Sequence, residues 1–232
     1  MSDAGRNVVR PRKGLRWVQI AFIALLLRPF LALVLGLNIR RRELLPTSGP
    51  AIVVANHNSH LDTATILSLF PLSRVHLVRP VAAADYFMKS PLLAWFALTI
   101  MGILPIDRSA QRKTFDPLEE SKAALDRGEI LVLFPEGTRG EPEQLDRFKR
   151  GVAHLARARP EVPVCPLFLY GLGKALPKGT LLLVPFNCDL VLGEPISWAT
   201  TKENGGTIPA FLDVLEARVS ELAGEINRTS WE

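Results

Sequence analysis

Cysteine is scarce in this chain of 232 residues: only Cys165 and Cys188 occur, in apolar surroundings and without metal-ligand spacing. This excludes a disulfide framework or a cysteine-based metal site as the organising device, and points to two buried thiols in a reducing compartment. A dinucleotide-binding glycine fingerprint and a phosphate-binding P-loop are also missing. The sequence contains no internal repeat, low-complexity tract or interdomain linker, which argues against a solenoid or a flexible array. With 48% hydrophobic and 22% charged residues, the chain is too apolar to be disordered and long enough to bury a full core, most simply as one domain.

The most lipid-like part comes first. Arg6, Arg10, Arg12, Lys13 and Arg16 precede the apolar run "WVQIAFIALLLRPFLALVLGLNI", which leads into Arg40-Arg41-Arg42. It has the basic start and apolar middle of a signal peptide but no small-residue cleavage site, so cleavage is rejected. Trp17 to Leu37 is long enough for a hydrocarbon core of about 30 Å. A span would, however, place Arg28 near the membrane centre, at a cost of roughly 2.5–3.5 kcal/mol, and Pro29 interrupts the helical ladder. Two short apolar helices, about Lys13 to Arg28 and Pro29 to Asn38, are therefore expected, docked in one leaflet with arginines at the phosphate level. Residues 1–42 read as a membrane-association segment and 43–232 as the globular domain. The net charge of +5 suits an anionic lipid surface or an anionic substrate. Nucleic acid is disfavoured, because long apolar segments break up the basic residues.

Downstream, "AIVVA" reads as a short buried strand, followed by a helix from about Leu61 to Ser68 and a strand around Val75 to Val81. "ADYFMKSPLLAWFALTIMG" is apolar almost all round and must be buried or face lipid or an acyl chain. An acidic-started helix stopping at Gly128 and a strand Ile130 to Phe134 come next, then a helix in "FKRGVAHLARA" and a strand in "VPVCPLFLYG". "TLLLVPF" and "CDLVLGEPI" read as a further strand pair. Ile208, Phe211, Leu212, Leu215, Val219 and Leu222 recur at helical spacing. The alternation predicts an α/β fold: a central mixed sheet flanked by helices, preceded by the two-helix membrane-docking segment.

In "VVANHNSHLDTATIL", His57 and Asp62 lie at the junction of an apolar strand and a helix. Positions five apart on a helix are rotated by about 140° and do not share a face. The pair meets only if His57 sits in the loop before the helix, with Asp62 in the first turn fixing the imidazole tautomer. Ser59 lacks a strained nucleophile turn and suits a helix-capping role, so the nucleophile would be a substrate hydroxyl. His60, His76 and His154 read as ordinary exposed or core histidines. Asp107-Arg108 and Glu136-Gly137-Thr138-Arg139 follow apolar segments, where open α/β sheets place ligands and where arginine can grip phosphate.

Four ordered blocks, Asn56-His57 with Asp62, Gly102 to Arg108, Phe134 to Arg139, and Val162 to Pro166, resemble those of the glycerolipid acyltransferases, especially the lysophosphatidic acid acyltransferases. The resemblance covers about residues 50–170. It implies His57 as general base, Asp62 as its orienting partner and Arg108 and Arg139 as phosphate ligands. Glu136, Gly137 and Thr138 would shape the glycerol site, Lys149 is a further phosphate contact or an exposed helix-start lysine, and Val162 to Leu167 would be a strand lining the acyl site. It also implies lysophospholipid acceptors, an acyl-carrier protein or coenzyme A thioester as donor, no metal or prosthetic group, and a peripheral, monotopic seat on the cytoplasmic face of the cell membrane. Two departures stand out: Leu104-Pro105 before Ile106, and the compact acidic stretch Gly140 to Asp146. "ADYFMKSPLLAWFALTIMG" is the candidate acyl channel, with Gly102 letting the chain pass close to the backbone. Competing readings are acylation of another lysophospholipid or of glycerol 3-phosphate, or a non-catalytic lipid-binding protein.

Overall fold

The computed structural model describes residues 15–87, 90–106, 116–140, 145–177, 183–201 and 206–229. Seven strands, β1 Leu35–Arg40, β2 Ala51–Ala55, β3 Val78–Ala83, β4 Leu104–Ile106, β5 Ile130–Leu133, β6 Val164–Tyr170 and β7 Phe186–Leu192, form one sheet in the order β1-β7-β6-β2-β5-β3-β4. All neighbours are parallel except β6 and β7. The sheet is therefore mixed, as expected.

The continuous apolar runs of β2, β5 and β6 follow from this position, since a parallel sheet is covered on both faces. Along β2, Ala51, Val53 and Ala55 point into one core, which Ile23, Leu31, Ile66 and Leu67 complete. Ile52 and Val54 point into the other, with Leu125, Leu155, Phe211 and Leu215, as the two-residue side-chain period of a strand requires. The first core is roofed by the N-terminal helix, α3 (Leu61–Leu69) and the short α8 (Leu172–Ala175), the second by α6 (Glu119–Asp126), α7 (Gly151–Ala158), the short α9 (Trp198–Thr201) and α10 (Ile208–Thr229). On α10 the predicted stripe Phe211, Leu212, Leu215, Val219 and Leu222 is buried.

The N-terminal segment departs from expectation in three ways. Its α-helical pieces, α1 Arg16–Phe22 and α2 Arg28–Val34, are joined by a π-helical stretch, Ile23–Leu27, into one apolar helix of 19 residues, long enough by length and composition to cross a membrane. Pro29 falls at the start of α2, just after the wider π turn, where its missing N–H and its ring are tolerated. The second helix stops at Val34, because Leu35 to Arg40 pairs in parallel with β7, satisfying a backbone edge that more helix would leave open. Arg28 does not reach outward either. Its Nε and Nη2 donate to the carbonyls of Ser68 (3.2 Å) and Phe70 (2.6 Å), and Arg42 donates to that of Leu69 at 3.0 Å. Two arginines thus satisfy the carbonyl end of α3 and complement its dipole. Burial and the neighbouring Arg42 lower the Arg28 pKa.

Of the expected C-terminal strand pair, Phe186–Leu192 is the one strand among the described residues. Residues 180–182 lie outside the described residues, and Pro185, lacking an N–H, precedes the strand rather than joining a ladder. The expected strand at Val75 begins with a 3₁₀ turn, Val75–Leu77, and becomes extended only at Val78.

Candidate active site

β2 delivers the chain to the centre of the sheet, and Asn56 anchors its exit. The buried side-chain amide of Asn56 donates to the Leu169 carbonyl (2.9 Å) and accepts from the Leu169 N–H (2.7 Å). The side chain thereby continues the β2–β6 ladder one step beyond its last main-chain pair, Ala55 with Leu167, and releases the backbone into the loop carrying His57. A β-branched or aliphatic residue has no amide with which to do this.

His57 Nδ1 lies 2.8 Å from Asp62 Oδ2, so the loop-then-helix arrangement required by the spacing is present. The same Oδ2 accepts the main-chain N–H groups of Asn58 (2.7 Å) and Ser59 (2.9 Å). Asp62 is wholly buried in the first turn of α3, where the helix dipole favours a carboxylate. An oxygen already accepting two N–H groups takes a third proton donor, so neutral His57 carries its proton on Nδ1 and leaves Nε2 with its lone pair. Phe134, at the end of β5, stacks on the imidazole with ring centres 4.2 Å apart and planes 24° apart. The His57 carbonyl accepts from Gly140 N at 2.9 Å, and its N–H donates to Glu136 Oε1 at 3.4 Å. Ser59 is not poised as a nucleophile: its hydroxyl accepts from Leu61 N and donates to the Leu176 carbonyl, both at 3.2 Å.

His57 opens onto a cavity of about 670 Å³ whose polar mouth comprises His57, His60, Thr63, Gly137, Thr138 and Arg139. The His60 Nε2 accepts from Arg139 Nη1, which requires a neutral imidazole; burial first, then Arg139 and His57, lower its pKa. Residue order alone gives His60 no special role, and only its loop shared with His57 hints otherwise. The wall is apolar. It comes from Pro80 to Ala83 of β3 and from the predicted apolar segment, which forms α4 (Ala84–Phe87), α5 (Pro91–Trp95) and a π-helical Phe96–Ile100. Phe87, Phe96, Ala97, Met101 and Ile103 face the space.

Several expected contributors are placed otherwise. Glu136 is buried and absent from the cavity lining, with Oε2 lacking a hydrogen-bond partner among the described residues; burial raises its pKa to about 8. Gly137 has φ +75° and turns the chain so that Lys149 packs across it. Lys149 is exposed just before α7 and lies outside the lining. The lining includes nothing from Val162 to Leu167, because β6 lies on the far side of β2 from β5 and β3, over which the cavity opens. Gly102 (φ +66°) faces Gln19 and the Val78 carbonyl, at 3.2 Å from where a Cβ would sit; it serves a turn under the N-terminal helix, not the cavity. Arg108 lies outside the described residues. Among the described residues, no three His, Cys, Asp or Glu side chains converge as metal ligands.

Comparison with known proteins places this arrangement. A family model described as Acyltransferase matches residues 36–170, more than half of the chain and spanning both segments of the polar mouth. The chain belongs to this acyltransferase family. It is similar to the 1-acyl-sn-glycerol-3-phosphate acyltransferase LPAT1, chloroplastic, of Arabidopsis thaliana, with 35% identity over 69% of this chain and 43% of that protein. It is also similar to the human 1-acyl-sn-glycerol-3-phosphate acyltransferase alpha, at 30% identity over 57% of this chain and 44% of that one. The chain thus spans less than half the length of either relative. Its fold matches the crystal structure of the 1-acyl-sn-glycerophosphate (LPA) acyltransferase, PlsC, from Thermotoga maritima, with a TM-score of 0.73, 22% identity, and coverage of 95% of this chain and 84% of that one.

Proposed function

We propose that this protein transfers a fatty acyl group from an acyl-coenzyme A or acyl-carrier-protein thioester to the free hydroxyl of lysophosphatidic acid, giving phosphatidic acid. The observation that carries the reading is the 2.8 Å His57–Asp62 pair at a mouth shared with Arg139 and an apolar cavity. His57 Nε2 removes the acceptor's hydroxyl proton as that oxygen attacks the thioester carbonyl, while Asp62 stabilises the imidazolium that forms. The C–S bond then breaks and the departing thiolate takes the proton from His57. The thioester itself carries the activation, so the scheme uses no metal or prosthetic group.

Arg139, held by His60, binds the acceptor's phosphate, and Gly137 and Thr138 border its glycerol. Arg108 is proposed as a second phosphate ligand. Its segment leaves β4 at Ile106, which pairs with Ala83 in the cavity wall. Lys149, packed over the Gly137 turn, adds positive charge from outside. The acyl chain lies along Phe87, Phe96, Ala97, Met101 and Ile103. A pure lipid carrier needs no oriented base, which favours the enzyme.

The membrane is proposed to meet α1–α2 and α4–α5. On the first helix Trp17, Leu25, Leu26 and Leu33 are 62–87% exposed. Leu92 and Trp95 extend that apolar surface, which is joined to it by the edge-on contact of Phe22 with Phe96 at 5.5 Å. The opposite helix face, Ile23, Leu27 and Leu31, is buried in the core, and Arg28 is bound to α3. Crossing the bilayer would strip away those contacts, so the helix is proposed to lie in the cytoplasmic leaflet as a monotopic anchor within residues 1–42.

Acceptor competition tests the reading: labelled acyl-coenzyme A or acyl-carrier protein is offered with lysophosphatidic acid, other lysophospholipids and glycerol 3-phosphate in micelles. Preferential labelling of phosphatidic acid is expected. Preference for another acceptor would reassign the headgroup, and lysolipid binding without any transfer would sink the enzyme reading.

A further inference from the structure

The Glu136 side chain turns away from the cavity that Gly137, Thr138 and Arg139 border. It is 3% exposed. Its Oε1 accepts the main-chain N–H of His57 at 3.4 Å, longer than the charge-assisted range of about 2.7–2.9 Å. Its Oε2 is buried with no hydrogen-bond partner among the described residues. Among the described residues, the ionisable groups that act on it are Asp62 from α3 and Asp146 from the segment before α7, both acidic. His57 comes from the loop after β2, and Lys149 lies across the adjoining Gly137 on the outer side. Among the described residues, no cation is hydrogen-bonded to the Glu136 carboxyl.

From this geometry we propose that Glu136 is a positioning residue that holds the His57 backbone as a neutral, protonated carboxyl, rather than a ligand of the acceptor. A buried carboxylate with one bare oxygen and two acidic neighbours is strongly disfavoured, whereas the neutral acid is tolerated. Consistently, burial, aided by Asp146 and Asp62 and opposed by the His57 N–H, brings its pKa to about 8. Holding its proton leaves Asp62 as the one charged partner of the imidazole. When Glu136 ionises, a second negative charge enters the same enclosed space, against Asp62 and Asp146 and with Oε2 unpartnered among the described residues. The kinetic part of this assignment rests on the acyl-transfer reading above; the protonation part does not.

The test compares the native chain with Glu136→Gln, which keeps the shape and an acceptor oxygen but never ionises, and with Glu136→Ala. The sign is set by a folded-state pKa raised above the ordinary value of 4.5. The folded chain holds the proton more tightly, so this group's stabilisation is complete below the ordinary value and is lost as pH rises toward 8. In denaturant unfolding between pH 5.5 and 8, the native folding constant should fall about tenfold per pH unit relative to Glu136→Gln. In acyl transfer, Glu136→Gln should keep kcat and the acceptor KM within about threefold at pH 7 and lose the native fall in kcat above pH 8. Glu136→Ala should lower kcat while leaving the acceptor KM within about threefold. Parallel stability profiles for the native chain and Glu136→Gln would overturn the protonated carboxyl. An acceptor KM raised about tenfold or more in Glu136→Gln with unchanged kcat would make Glu136 a substrate ligand instead. If the native chain acylates no acceptor, the reaction reading fails while the unfolding comparison still decides the state of Glu136.

Discussion

At the mouth of the cavity the His57 loop is stitched to its neighbours. The imidazole is bound by Asp62 and stacked on Phe134, and its backbone N–H and carbonyl are tied to Glu136 and Gly140. Along the wall, α4 and α5 have only four and five residues and Leu92, Leu93 and Trp95 stand well exposed. The two ends serve different tasks. Proton transfer tolerates little misplacement of the base, so its loop is over-determined by hydrogen bonds. An apolar chain needs a greasy surface of suitable volume, so its wall is built from short, weakly constrained turns.

Four variants separate the two ends, from the largest effect down. Asp62→Asn puts an amide where a carboxylate fixes the His57 tautomer and should lower kcat roughly a hundred- to ten-thousand-fold with little change in acceptor KM; steady-state kinetics decide it, and a KM effect alone would move Asp62 out of the proton-transfer scheme. Arg139→Ala removes charge-assisted hydrogen bonds of about 1.5–3 kcal/mol and should raise the acceptor KM about 10- to 100-fold. Ala97→Phe fills part of the wall and should change the preference between long and short acyl donors about tenfold, with kcat for the preferred donor largely retained; an unchanged preference would remove the wall from acyl recognition. Leu25→Glu combined with Leu33→Glu should reduce the fraction bound to anionic vesicles several-fold while sparing transfer in detergent micelles. Co-sedimentation measures the first quantity and the micellar assay the second.

The same contrast explains what could be read from residue order. His57 and Asp62 were legible because a strand-to-helix junction brings residues five apart together by local geometry. The buried stripe of α10 was legible because its partner is the core itself. Asn56 was not, since its role depends on the main-chain N–H and carbonyl of Leu169, more than a hundred residues away. Glu136 could be placed beside the site, but the direction its side chain takes is set by the turn at Gly137 and by the His57 backbone. The N-terminal segment was legible only in part, its apolar helix but not the end of that helix or the place of Arg28, for a related reason. Its composition speaks of lipid, yet Arg28 is engaged by the carbonyls of α3, and Leu35 to Arg40 is drawn into the sheet by the open edge of β7. Tertiary pairing there overrode the local apolar pattern.

The most direct test of His57 as the base is single-turnover transfer from a labelled acyl thioester to lysophosphatidic acid in micelles, comparing the native chain with His57→Ala at matched fold and lysolipid binding. The mechanism predicts phosphatidic acid from the native chain and a rate lower by at least about a hundredfold from the variant. Equal rates from the two proteins would contradict it, because they would show that the Asp62-bound imidazole is not the base.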